Sequence, residues 1–235
     1  DFDEALMLAT RCLESDPQRP AILAAVFDSV VKLGQYEAAS QRLAQLIELE
    51  QSASVLARAA RMAELKGELK QAVALIDRAL QDLEKRGANP NDAVWYLWRK
   101  GKLLLDSGQL DSAEQTLRQG LELDGEDEAS LVTLAEIVFA KGDRKAASEI
   151  LEVAAKSKAP PVLALLGDLL YLQGDAVRAG KLWDETEAIM RAEAKVAKVA
   201  HAREVAMFFA NHDRHLAEAI ELSSIDMQQR SDAFA

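Results

Sequence analysis

Apolar positions in this chain recur with a helical period, and the helical stretches themselves recur. In "LGQYEAASQRLAQLIELE", residues 33–50, apolar side chains fall at Tyr36, Ala39, Leu43 and Leu46. Steps of three and four residues line one face of an α-helix. Nearly the same pattern returns in "SGQLDSAEQTLRQGLELD", residues 107–124. Each copy opens on a Gly, a polar residue and a large residue, followed by an amphipathic run. Aligned on that turn, copies stand at Gly34, Gly67, Gly108, Gly142 and Gly174, with a degenerate one at His212 in "NHDRHLAEA". The opening "DFDEAL" reads as the same pattern with its Gly cut away.

A second column runs through the copies. Ala39, Ala72, Ala113, Ala147, Ala179 and Ala217 sit at a constant offset after the turn residue, and Ala5 takes that place in the truncated first copy. A pair of helices of about 34 residues cannot bury its apolar faces alone, so neighbouring pairs must stack. Where helices approach most closely only a methyl group fits, which accounts for an alanine column. The Gly ahead of it ends the preceding helix, and the Asp, Glu or Gln that follows suits the start of the next. The longer interval between Gly67 and Gly108 holds "EKRGANPN", which predicts an extended second helix, a loop, and a helix start at Pro90. Between Ala176 and Ala210 there is no proline and only Gly180, so longer helices are expected there.

Composition agrees with an all-helical chain. Ala, Leu, Glu, Gln, Lys and Arg are strong helix formers and dominate the 235 residues, with only 5 prolines to break helices. No apolar run approaches the ~20 residues needed to cross a bilayer, which predicts a soluble protein without direct membrane insertion and leaves cytoplasm and periplasm both open. A formal net charge of −11 argues against nucleic-acid binding, whose usual footprint is a basic surface. The lone Cys12 excludes an internal disulfide and reads as a small buried residue.

These residues resemble the tetratricopeptide repeat family, whose pattern sets a small residue midway along the first helix, then a Gly-Asp-Tyr-like turn, an Ala, a large apolar residue, another small one and a late Pro. Gly101 and Gly167, with Ala60 and Ala135, fill the first small position. "GQY" at 34–36 and "GD" at 142–143 and 174–175 fill the turn. Leu43, Ile76, Leu117, Leu151 and Trp183 fill the large position, and Pro17 the late one. The resemblance covers almost the whole chain. It implies an all-α, right-handed superhelix (solenoid) of antiparallel helix pairs, one array over residues 1–235 of about six repeats. Both ends read as cut mid-repeat, as in a fragment of a longer chain: Asp1 opens within a repeat, and "RSDAFA" resembles the first turn of another. Raw ends bearing Phe2, Leu6, Leu8 and Leu13, or Leu222 and Ile225, suggest self-association.

Catalysis has no address in this pattern. "HDRH" sets His212 and His215 on a turn expected to face solvent, with no third metal ligand evident, and His201 stands among Ala and Arg. No Gly-rich phosphate loop, paired-Cys zinc spacing or nucleophile elbow is present, and "GKLLLDSG" lacks the upstream Gly of a P-loop. The acidic runs "ELDGEDEAS" and "DFDE" read as solvated helix starts. The expectation is a non-enzyme with no cofactor and no metal.

Binding does have an address. In the resembled fold the first helix of each pair lines a concave groove. Register then places Asp28, Lys32, Arg58, Arg61, Glu64, Trp95, Trp98, Arg99, Lys102 and Asp106 inward, followed by Glu136, Phe139, Asp168, Tyr171, Arg203 and Phe209. Trp95, Trp98 and Lys102 form one helical stripe. Arg61 and Lys102 hold one position in adjacent repeats, where the clamp asparagines of the chaperone-tail binders would stand. Chaperone-tail binding is therefore not expected. Trp and Arg are enriched at binding hot spots. The partner-binding expectation rests on Arg58, Arg61, Trp95, Trp98, Arg99, Lys102, Glu136, Phe139 and Tyr171. It is that of a protein-interaction scaffold holding a protein or peptide segment, acidic with apolar anchors. The alternative is a structural or regulatory arm of a larger multidomain protein.

Overall fold

The computed structural model describes residues 2–196 and 202–229. Among the described residues the regular elements are all helical. They are α1 (Phe2–Ser15), α2 (Pro20–Lys32), α3 (Tyr36–Leu49), α4 (Ala53–Leu65), α5 (Leu69–Lys85), α6 (Val94–Asp106) and α7 (Leu110–Leu123), then α8 (Glu128–Ala140), α9 (Arg144–Ala154), α10 (Pro160–Leu172), α11 (Ala176–Val196), α12 (Ala202–Asn211) and α13 (Leu216–Gln229). Short 3-10 turns occupy Pro90–Ala93 and Ala155–Ser157. The chain divides into two compact units, Asp1–Gly125 and Glu126–Ala235. In the first, α2 packs on α3, α4 on α5 and α6 on α7, with α1 against α2. In the second, α8 packs on α9, α10 on α11 and α12 on α13. Both are built of consecutive helix pairs joined by reversing turns.

The turn chemistry explains the pairing. At Gly34 φ is +72°, a left-handed conformation in which a side chain would be strained. Its N–H donates to Val31 O at 3.1 Å, and the N–H of Gln35 donates to Val30 O at 2.8 Å. Two carbonyls that the helix end would leave bare are thereby satisfied. The same pair of bonds recurs around Gly67, Gly108, Gly142 and Gly174, and also around Gly87, which closes the 17-residue α5. At the following helix start only the aspartates act as side-chain caps. Asp143 accepts from the N–H of Ala146 at 2.9 Å and Asp175 from that of Arg178 at 3.1 Å. Gln35, Glu68 and Gln109 make no such bond; their side chains are a methylene longer than the residues that cap well.

The alanine column is the tightest part of the packing: Ala39, Ala72, Ala113, Ala147 and Ala179 are all 0 % exposed. Ala217 does not belong to it. In the last pair Asp213 takes the left-handed turn at φ +52°, and Arg214 N–H closes it on Phe209 O at 2.8 Å. A second left-handed residue, His215, then precedes α13 and accepts from Ala219 N–H. That insertion shifts the register, so Ala219 is buried and Ala217 is exposed. Ala5 has a side chain outside the described residues.

Large residues of the second helices face the small residues of the first. A methyl group on Gly101 would lie 2.7 Å from Leu117 Cγ, and one on Gly167 would lie 2.6 Å from Trp183 Nε1. Ala60 and Ile76 fill the same register and share one core cluster. In the α2–α3 pair a phenylalanine, Phe27, stands in the small position and packs with Leu23, Val26, Leu43 and Leu46.

Two end-face expectations change. Leu13 is buried in that first cluster, and Leu6 and Leu222 are half-buried against cores, whereas Leu8 and Ile225 are exposed as anticipated; the side chain of Phe2 lies outside the described residues. Cys12, expected inside, is exposed. The 21-residue α11 is the longest helix described, as the scarcity of helix breakers anticipated.

Candidate interaction surfaces

In the first unit the anticipated residues lie on α2, α4 and α6, the first helices of three consecutive pairs. Arg58 reaches across from α4 to Asp28 on α2 in a two-pronged contact, Nε to Oδ1 at 3.1 Å and the second nitrogen to Oδ2 at 2.6 Å. Glu64 Oε2 accepts from Arg61 on its own helix and from Arg99 on α6, both at 2.7 Å. Burial pushes the Glu64 carboxyl up, but the hydrogen bond from Arg61 and the fields of Arg99 and Arg61 together outweigh it and hold the group below the usual carboxylate range. Lys102 Nζ stands 3.2 Å from Asp106 one turn along α6. Each of the four anticipated cations therefore has a carboxylate beside it.

Exposure separates these cations into two kinds. The side chains of Arg58 and Arg99 are 21 % and 16 % exposed, against 41 % for Arg61 and 37 % for Lys102. Arg58 and Arg99 bridge neighbouring first helices and serve the fold. Arg61 and Lys102 present their charge outward. On α6, Trp95 is 48 % exposed, stacked edge-on against Tyr96 at 5.0 Å and 6.3 Å from Trp98. Trp98 is half-buried, with the Arg99 guanidinium 5.5 Å from its ring centre. The helical stripe anticipated from Trp95, Trp98 and Lys102 is thus present on α6.

In the second unit Glu136 and Phe139 on α8 and Asp168 on α10 line one cleft of about 160 Å³, with Ala135, Leu151, Leu165, Leu169 and Leu172. Tyr171 is exposed at the end of α10, its ring 5.5 Å from that of Trp183. Arg203 is half-buried on α12. Phe209 does not line a groove. It is 0 % exposed in the core with Met190 and Val205, under the Arg191 guanidinium.

His212 is also not the solvent-facing turn residue that the sequence suggested. Its side chain is 7 % exposed, with Nε2 2.7 Å from Asp168 Oδ1 and Nδ1 2.7 Å from Phe208 O. The Trp183 indole N–H donates to the same Asp168 oxygen at 3.0 Å. Its neighbour in the motif, His215, lies 2.9 Å from Glu187, which also accepts from Arg191 and Arg214. Arg191 in turn grips Glu218 with two bonds of 2.9 Å. These contacts tie α12 and α13 to α10 and α11. Nothing local in "HDRH" signals them, since the partners lie in the preceding pair. His201 lies outside the described residues. Among those described, no three His, Cys, Asp or Glu side chains come together as a metal site.

A family model described as tetratricopeptide repeat matches residues 1–61 and 104–166, together more than half of the chain. The chain belongs to the tetratricopeptide repeat family. No curated protein is similar to it in sequence at a significant level. Among solved structures it is similar to PilW, described as a widely conserved type IV pilus biogenesis factor, with 18 % identity over 80 % of this chain and 86 % of that one and a TM-score of 0.67. BtubC from P. vanneervenii matches with 18 % identity, 82 % and 89 % coverage and a TM-score of 0.62. Pseudomonas aeruginosa pilF matches with 19 % identity, 87 % and 96 % coverage and a TM-score of 0.60. At such identities the likeness is one of fold.

Membership of the tetratricopeptide repeat family supports a protein–protein interaction scaffold in general. Among the described residues no helix is long and apolar enough to cross a membrane. Trp95 and Trp98 fall between the two matched segments of the repeat family. The exposed Trp95 is therefore a feature that the family match does not supply.

Proposed function

We propose that the protein holds a segment of a partner protein against the first helices of its first unit, with α6 at the centre. The observation that carries this reading is the 48 % exposed Trp95 beside Trp98, on the helix that carries the exposed cation Lys102 two turns further on, with Arg61 at the equivalent position of α4. An exposed indole gains by covering its apolar face, and it adapts to many side chains at small entropic cost. Arg58 and Arg99 are the more buried of the four cations, so the ones a partner meets are the more exposed Arg61 and Lys102, each with a carboxylate of its own helix, Glu64 and Asp106, beside it. A segment that sets an apolar anchor on Trp95 and an acidic residue within reach of those two fits best. Such rim charges steer and orient more than they bind, and salt weakens them.

The test is selection of ligands from a displayed random-peptide library on the intact chain, followed by titration of the recovered peptides through tryptophan fluorescence. Recovered peptides should be apolar and acidic. Trp95→Ala, or Arg61→Gln with Lys102→Gln, should weaken them at least tenfold, about 1.4 kcal/mol, without lowering the melting temperature much. Peptides that bind both variants as tightly as wild type would remove this surface from the function. The reading of the chain as an assembly arm of a larger protein would then replace it.

A further inference from the structure

The register position that carries Asp28, Arg61 and Lys102 in the first unit carries Glu136 and Asp168 in the second, so the cations on α4 and α6 give way to carboxylates on α8 and α10. It is the residue just after the small position of each first helix, so this sign reversal falls on equivalent places in the repeat. Both carboxylates line the cleft formed by α8, α9 and α10, whose lining residues include no cation and are otherwise Ala, Leu and Phe. We propose that this cleft docks a second kind of protein segment, one that inserts an aliphatic side chain with a lysine or arginine next to it. The proposal rests on the scaffold reading of the chain but not on the Trp95 surface.

Three observations support a built site. The first is size. A cavity of about 150 Å³ walled by aliphatic and aromatic side chains accommodates a benzene-sized group, and the cleft, at about 160 Å³, suits a leucine or methionine side chain. The second is the fixing of Asp168. Trp183 Nε1 and His212 Nε2 both meet its Oδ1, at 3.0 and 2.7 Å, so the carboxylate is held in one orientation from behind. Its side chain is nonetheless 46 % exposed, and Oδ2 takes no part in either bond. A carboxylate whose rotamer is locked by its own supporting shell loses little freedom when a cation arrives. The third is the rim: Phe139 and Leu172, both lining the cleft, are exposed, and apolar groups left facing water favour an occupant over an empty cleft. Charge sets the polarity of that occupant. An acidic segment would bring a third negative charge to Glu136 and Asp168, and a neutral one would leave the oriented carboxylate unused.

The experiment uses the same displayed random-peptide library on the intact chain, with each recovered peptide titrated against wild type, Asp168→Asn and Leu172→Ser. Asparagine keeps an acceptor for Trp183 and His212 while removing the charge. Leu172 is 55 % exposed, so its replacement leaves the core intact and remains decisive if Asp168→Asn does not fold. The expected result is a class of peptides pairing an aliphatic residue with Lys or Arg, weakened at least fivefold by either variant. Replacing that lysine by norleucine in the peptide should weaken binding to wild type and leave binding to Asp168→Asn unchanged. The proposal is overturned if no recovered peptide depends on Asp168 or Leu172, or if those that do are acidic. Peptides sensitive to Trp95→Ala but indifferent to Leu172→Ser would sustain the first surface while this one fails, so the two outcomes are separable.

Discussion

Two glycines on neighbouring helices should respond to the same substitution with opposite signs. Gly167 lies on α10, where an added methyl group would meet Trp183 Nε1 at 2.6 Å and Cδ1 at 2.8 Å. Gly180 lies on α11, where the same methyl would meet nothing within 4 Å. Alanine in a helix interior is favoured over glycine by roughly 0.5–1 kcal/mol, so each substitution starts from that gain. At Gly180 nothing opposes it. At Gly167 the indole must move, and it is a rigid ring rather than the loose end of a flexible chain. Overpacking of this kind costs ~1–3 kcal/mol, and displacing the indole also weakens its hydrogen bond to Asp168, worth about 0.5–1.5 kcal/mol net. Gly167→Ala should therefore lose roughly 1–3 kcal/mol. At about 2–4 °C per kcal/mol for a chain of this size, that is a fall of several degrees, against a rise of one to three for Gly180→Ala. Circular dichroism melts of the two variants decide the matter. A double variant adds a control: in a Trp183→Leu background, which sets a leucine opposite as Leu151 stands opposite Ala135 in the preceding pair, Gly167→Ala should cost little or nothing further. The reasoning fails if Gly167→Ala melts at or above wild type, because close approach would then not be what excludes a side chain there.

Two further outcomes follow from the packing and the ion pairs. Ala113→Leu, at a position that is 0 % exposed, should cost ~1–3 kcal/mol or more by overpacking, and a neutral melt would remove the helix-contact role from the alanine column. On acidification, Glu218 and Glu187 should both contribute to loss of stability. The Arg191 hydrogen bond holds the Glu218 carboxyl below its usual range. For Glu187 burial pushes the other way, but hydrogen bonds from Arg191 and Arg214 outweigh it and hold that group low as well. A carboxyl depressed in the folded state stabilises fully above its unfolded value of about 4.3 and loses that contribution as pH falls through the folded value. Glu187→Gln should accordingly destabilise the protein at pH 7 and flatten the dependence of its melting temperature between pH 5 and 3. An acid limb as steep as that of wild type would refute the assignment.

The fold was legible because the features that specify it are local and repeated. A left-handed glycine, a methyl-sized residue at a constant offset and a large residue facing a small one each appear several times, so a chance match at one copy does not mislead. The errors fall where repetition fails. In the last pair no glycine marks the turn: its left-handed residue is Asp213 rather than His212, and one extra residue follows before α13, which together move the packing alanine from Ala217 to Ala219. Counting from His212 could not reveal that insertion, because only the hydrogen bonds show which residue closes the turn. Cys12 was misplaced for a related reason: apolar character fixes the helix face on which a residue lies, and not whether another helix covers that face.

The surfaces were less legible, and charge shows why. Register correctly gathered Arg58, Arg61, Arg99 and Lys102 on the first helices of one unit, but a count of cations on a face is not a potential. Asp28 and Glu64 lie on the same face by the same register, and the structure pairs them with Arg58 and Arg99 across neighbouring helices. Arg61 and Lys102 have carboxylates beside them too, so what separates these two for a partner is their greater exposure, which residue type does not reveal. Asp168 makes the complementary case. By residue type it is one more acid in an acidic chain, yet Trp183 and His212, both distant in sequence, fix one of its oxygens. A side chain becomes a recognition element when the fold immobilises part of it and leaves the rest open. The fixing depends on residues of other helices, Trp183 of the same pair and His212 of the next. Repetition therefore reveals how the helices stack, while the residues that break the repeat, Trp95, Asp168 and His212, carry what distinguishes this chain from others built in the same way.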